Sequence, residues 1–185
     1  EVQETYPNVG IRMRGLAIVD TFLQTHKKYP IALEKLIEAG YHTTGFGVDG
    51  WTKEVWKSIG NASNTSENCV QAIQIAHELH LTPEILSVFG HKQDTPESMQ
   101  RMIDVADALY QEYGAIPRPM IAKVVPGSED WLKPQNKWFV QQLLQEPYLF
   151  QALDFLARPS KLTHPEELRR TMIDEHYLAM CNLVG

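Results

Sequence analysis

Apolar residues along this chain come in two textures. Short continuous runs alternate with longer segments in which they recur every three or four positions. The first texture is that of a strand buried on both faces, the second that of an amphipathic helix. Val9–Met13 is the first short run and predicts a strand ending near Arg14-Gly15, while Ile18–Leu23 could extend it or start a loop. Tyr29–Ala39 carries Ile31, Leu33, Leu36 and Ile37 at helical spacing, with Pro30 suited to the first turn and Gly40 just past the end. Thr43–Val48 predicts a buried strand closed by the turn signal Asp49-Gly50, and Lys53–Ser58 a short helix. Cys69–Leu79 predicts an amphipathic helix ending around His80, preceded by cap candidates in Asn64-Thr65-Ser66-Glu67. Pro83–Phe89 is a further apolar run, closed by Gly90. Thr95-Pro96 then opens a helix with Met99, Met102, Ile103, Ala106 and Leu109 on one face, and Met120–Val125 is the last strand, stopped by Pro126-Gly127.

Strands that alternate with helices and read as continuous apolar runs predict an α/β fold, a parallel sheet with covering helices and right-handed crossovers. After Gly127 the texture changes. Trp138–Leu144, Tyr148–Leu156 and Pro165–Leu183 read as helices with no strand between them. The expected organisation is an α/β unit over residues 1–127 and a helical C-terminal extension over 128–185 that packs on it.

Composition narrows the function classes. The chain has 185 residues, enough to bury a sizeable core as one domain. Lys+Arg is 17 against 23 Asp+Glu, a net charge of −6, which argues against a broad contact with a nucleic-acid backbone. No apolar run approaches the ~18–20 residues of a membrane span, so no membrane partner and a cytoplasmic location are expected. The two cysteines, Cys69 and Cys181, cannot by themselves hold an iron–sulfur cluster or a structural zinc, and no metal site is expected. Glu1–Pro7 has neither the basic nor the apolar region of a signal peptide, and the absence of an initial Met suggests a chain cut from something longer or processed.

In parallel α/β folds ligands bind outside the carboxyl ends of the strands. The expected ends are Arg12-Met13-Arg14-Gly15, Gly47-Val48-Asp49-Gly50, Phe89-Gly90-His91-Lys92 and Lys123-Val124-Val125-Pro126-Gly127. Each offers a glycine, where a ligand can approach the backbone, and a charged side chain. Any one of them is accounted for as an ordinary turn; together they suggest the rim of a site. Other candidates reduce to plainer roles. His77-Glu78-Leu79-His80 lacks the spacing of a zinc protease helix and suits a helix end. Cys69 and Cys181 have no paired base, and Met99, Met102 and Met120 suit packing. No phosphate-binding loop and no serine nucleophile elbow occurs.

Two segments carry a family resemblance. Phe46-Gly47-Val48-Asp49-Gly50, followed by Thr52 to Gly60, resembles the fourth strand and turn of radical S-adenosylmethionine enzymes. Leu86-Ser87-Val88-Phe89-Gly90, followed by His91 to Ser98, resembles their fifth strand. The resemblance covers about Val9 to Gly127 and implies strands three to six of a partial β/α barrel. It implies S-adenosylmethionine and a [4Fe–4S] cluster as cofactors of a parent protein. The family's Cys-x3-Cys-x2-Cys cluster loop is missing, so neither cofactor is expected to bind tightly to this chain alone. Carried over by position, Arg12, Arg14, Asp49, Val88, Gly90, Val124 and Val125 would bind S-adenosylmethionine, and His91, Lys92 and Lys123 would meet a small-molecule substrate. Arg-Gly stands where the family often has Thr-Asn-Gly, a departure that bears on Arg12 and Arg14. No catalytic residue is implied. A barrel without its first strands would expose a sheet edge and could form homo-oligomers through it. The alternative is a non-catalytic α/β module that binds a nucleotide-like ligand or a protein partner.

Overall fold

The computed structural model describes residues 10–91, 93–122, 127–132, 141, 144–145 and 167–184. Its elements run β1 (Met13–Ala17), α1 (Val19–Lys28), α2 (Pro30–Glu38), β2 (Tyr41–Asp49), α3 (Lys53–Ser58), α4 (Ser66–Glu78), β3 (Thr82–Phe89), α5 (Pro96–Tyr113), β4 (Ile116–Ile121), α6 (Glu129–Leu132) and α7 (Glu167–Cys181), closed by a 3-10 turn at Asn182–Val184. The four strands form one sheet in the order β1-β2-β3-β4, and every neighbouring pair is parallel. The α/β fold with a parallel sheet and covering helices is therefore what the chain adopts.

Strand residues alternate between two environments. Thr44, Phe46 and Val48 on β2, and Ile85, Ser87 and Phe89 on β3, are buried under the helices. Phe22 of α1 meets Phe46 edge-to-face, with ring centroids 5.1 Å apart. Cys69, Ala72, Ile73 and Ala76 of α4 and Met99, Met102 and Ala106 of α5 complete this layer, and Met180 of α7 is fully buried in the same core. The opposite face carries Arg14, Leu16, Gly45, Glu84, Leu86, Val88, Arg118 and Met120. Among the described residues nothing covers it: Leu16 is 68% and Met120 52% exposed.

Local chemistry explains where the helices start. Thr52, Thr65 and Thr95 cap α3, α4 and α5, each hydroxyl accepting from an amide three residues on, and Thr95 and Ser98 form a reciprocal capping box. Gly114 ends α5 in a left-handed conformation.

Several expected boundaries move. The first strand is Met13–Ala17, not Val9–Met13. It is fixed by pairing with β2, Gly15 opposite Thr44 and Ala17 opposite Phe46. Ile18–Leu23, left open between strand and loop, is mostly helix, with Val19 and Phe22 buried. The last strand is Ile116–Ile121, starting four residues before Met120. Pro117 and Pro119 argue against a strand in sequence. They are tolerated because β4 lies at the edge of the described sheet, and residues two apart direct their missing amide hydrogens to the same side. Of the expected face on α2, Leu33 is buried, but Ile31 is 63% exposed. The expected helices at Trp138–Leu144 and Tyr148–Leu156 lie almost wholly outside the described residues.

Candidate functional site

At the carboxyl end of β2 the ladder breaks its register between Gly47 and Asp49, so that Asp49 pairs with Ser87. Such a bulge re-aims the following side chain. Asp49 takes a φ of 51°, left-handed backbone that few non-glycine residues other than Asn and Asp adopt readily. Polar groups from α3 and from the loop after it hold this end in place. Trp56 Nε1 donates to the Val48 carbonyl at 2.7 Å, and Asn64 Nδ2 to the Gly47 carbonyl at 3.3 Å. Gly50 cannot be larger: a Cβ there would stand 2.7 Å from Val55 Cγ1.

Asn61 Nδ2 donates to Asp49 Oδ2 at 2.7 Å, which orients the carboxylate and leaves Oδ1 without a hydrogen-bond partner among the described residues. Burial pushes the Asp49 carboxyl above its ordinary pKa; the nearby His91 and the Asn61 hydrogen bond pull the other way without cancelling it. Beside it the backbone is bare. A Cβ at Gly47 would meet only Asp49 Oδ2, at 3.9 Å.

The end of β3 is built differently. Asp94 is buried, and its Oδ2 accepts from the Gly90 amide at 2.8 Å and the His91 amide at 2.9 Å. Gly90 sits at a φ of 97°. This carboxylate closes the loop after β3 and fixes where His91 starts. At the end of β1, Asp20 in the first turn of α1 accepts from Asn68 Nδ2 at 3.4 Å. A cleft of about 390 Å³ opens nearby at the starts of α3 and α4, lined by Trp51, Lys53, Ser66 and Arg101 among others.

The structure gathers Asp49, Gly90 and His91 at one end of the sheet, with Val88 half-buried on the open face just before them. Arg12 and Arg14 were expected at the carboxyl end of the first strand and are not there. Because β1 begins at Met13, Arg12 precedes it and Arg14 is its second residue, at the opposite end of the sheet. Lys92, Lys123, Val124 and Val125 lie outside the described residues. Sequence reading missed Asn61, Asn64 and Asp94 as builders of the rim. Asp94 left a signal, a carboxylate four positions beyond the strand-terminal Gly90, whereas Asn61 and Asn64 stand eleven and fourteen positions beyond Gly50 and look like ordinary loop composition until the loop closes.

Among the described residues, no group of three or more His, Cys, Asp or Glu is placed to hold a metal ion, and no helix is long and apolar enough to cross a membrane. Cys69 is buried, and its thiol is pushed up to about 12 by burial and by the charges of Asp20, Asp49 and Glu67.

No protein-family model matches the chain, and neither does any curated protein. Among solved structures it is similar to a radical S-adenosylmethionine methyltransferase, TsrM, from Kitasatospora setae, with cobalamin and a [4Fe–4S] cluster bound. The likeness has a TM-score of 0.50 at 16% identity and covers 66% of this chain and 23% of that one. It is a likeness of fold, and the chain spans less than a quarter of that enzyme.

Proposed function

We propose that this chain is the S-adenosylmethionine- and substrate-binding part of a radical S-adenosylmethionine enzyme whose cluster loop lies elsewhere in a parent protein. The observation that carries the reading is Asp49. It is a half-buried carboxylate at the carboxyl end of a parallel strand, anchored by Asn61 through Oδ2 beside the bare backbone of Gly47, with Oδ1 left without a hydrogen-bond partner among the described residues. Those residues fit a ligand bearing adjacent hydroxyls. Asp49 would accept from a ribose, Val88 and Gly90 would flank the adenine, and His91 on the same rim would face a small-molecule substrate. Lys92, Lys123, Val124 and Val125 are proposed for the same site by position in the sequence. S-adenosylmethionine, when bound, supplies the sulfonium group on which the parent's chemistry runs.

A [4Fe–4S] cluster does not fit this chain's own residues. Three thiolates are required, and the chain has two cysteines, one of them a buried thiol of high pKa. That shortage favours a second reading, a non-catalytic module for a nucleotide-like ligand. The edge of β1, unpaired among the described residues, supports a further proposal, that two copies pair there.

Calorimetric titration of the full chain with S-adenosylmethionine and with adenosine tests the reading. Weak S-adenosylmethionine binding is expected, lost in Gly90→Val and weakened about tenfold in Asp49→Ala. Binding of adenosine with no preference for S-adenosylmethionine would support the module instead. No binding of either would sink both.

A further inference from the structure

On the open face of the sheet, toward the amino ends of its strands, Glu84 lies between two arginines. Arg14 Nε and Nη2 both reach Glu84 Oε2 at 2.6 Å, and Arg118 Nε donates to Oε1 at 3.0 Å. The Glu84 side chain is 3% exposed and those of the arginines 52% and 54%. One buried carboxylate thus uses both oxygens to hold two half-exposed guanidinium groups. Among the described residues, Arg14 Nη1 and both terminal nitrogens of Arg118 have no further partner.

We propose that this pair binds the carboxylate of an organic acid with an apolar body. Two guanidinium charges less one carboxylate leave a single positive charge, matched by a monoanion rather than by a phosphate dianion. Guanidinium presents its donors as a planar fork suited to a carboxylate, and Glu84 already orders both side chains, so little further ordering opposes binding. Above the pair the face turns apolar, with Leu16 and Leu86 both reaching over Gly45, then Gly47 bare beside Leu86, and Val88 and Met120 beyond. Gly45 pairs with Glu84 and precedes Asp49 by four residues, about 13 Å along a strand. An acid seated at the arginines extends over Gly47 toward the rim. The inference rests on the proposed function only in calling this acid the substrate.

The test uses phenylbutyrate as probe, with phenylbutyramide and inorganic phosphate as comparisons, followed in amide NMR spectra of the full chain. Phenylbutyrate is expected to bind in the low millimolar range, as ordinary ligand efficiency gives for its size, and to shift the Gly45 and Gly47 amides. The amide and phosphate should bind about tenfold more weakly or not at all. Arg118→Met should weaken phenylbutyrate about tenfold, and Arg118→Lys, which keeps the charge without the fork, by less. Phosphate binding as tightly as phenylbutyrate, equal binding of acid and amide, or no shift at Gly45 and Gly47 would each overturn the proposal. If Arg118→Met does not fold, the acid-to-amide ratio on the wild-type chain decides it. S-adenosylmethionine titration is a separate readout: its failure overturns the reading of the rim, and phenylbutyrate's failure overturns this one.

Discussion

Arg14 on β1 and Glu84 on β3 form an ion pair across the strand between them, Nη2 to Oε2 at 2.6 Å, passing over Gly45 of β2. A side chain on β2 would stand in the path. A Cβ at Gly45 would lie 3.0 Å from Leu16 Cδ2, 3.2 Å from Leu86 Cδ1 and 3.4 Å from Glu84 Oε2. The glycine is thus the condition for both the ion pair and the contact of the two leucines above it.

Gly45→Val should therefore cost about 2–3 kcal/mol, an overpacking penalty with a strained ion pair added. Gly47→Ala, two residues on, enters open space and should change stability by less than about 0.5 kcal/mol. Urea unfolding of the two variants compares them directly. Equal losses would show that the open face is packed more uniformly than these distances imply.

Replacing Glu84 by Gln removes the charge that holds two like-charged groups together. The arginines are half in solvent, which screens their repulsion, so the expected loss is about 1–2 kcal/mol rather than the larger cost of a fully buried pair. Arg14→Ala should cost about 1–2 kcal/mol, since Arg118 holds only Oε1 and the largely buried Oε2 loses its partner. Unfolding of both single variants and of the double variant measures the coupling. Strict additivity would mean that Arg14 and Glu84 do not act together.

Asp49 should make stability fall as pH rises. Burial lifts its carboxyl above 3.8, so the folded chain keeps a proton that the unfolded chain has already released. The unfolded state then binds fewer protons, and stability declines from near that pH up through the folded-state pKa. The penalty persists at neutral pH. Asp49→Asn, which keeps an oxygen for Asn61, should raise Tm at neutral pH and flatten this decline. Thermal melts across the acid range check it; a variant less stable at neutral pH would refute the assignment.

Cys69 should be chemically silent in the folded chain. With its thiol pushed up to about 12, the thiolate fraction at pH 8 is on the order of one part in ten thousand. Cys181 is half-buried and should react first with Ellman's reagent, Cys69 only on unfolding. Two thiols reacting at the same rate in the native chain would contradict this.

If two copies pair through the edge of β1, sedimentation should show a dimer whose population grows with concentration, and the β1 amides should exchange slowly. A monomer at every concentration with fast exchange along Met13–Ala17 would remove that proposal.

Much of this architecture is legible in the sequence, because strand and helix periods and cap residues are local. The runs at Thr43–Val48 and Pro83–Phe89, the caps at Thr65 and Thr95 and the faces of α4 and α5 all follow from spacing. Asp49 and Gly90 stood out for the same reason, as a turn aspartate and glycine closing apolar runs. What spacing could not place was β1. A short run next to further apolar residues can slide, and only pairing with β2 fixes its register. That shift moved Arg12 and Arg14 to the other end of the sheet. Glu84, sixth from the end of an apolar strand, reads in sequence as an anomaly; it is buried because arginines seventy residues before and thirty-four after it converge there. Local order determined which segments are strands and helices. Tertiary pairing decided which charges meet, since contacts across a sheet join residues that no period in the chain connects.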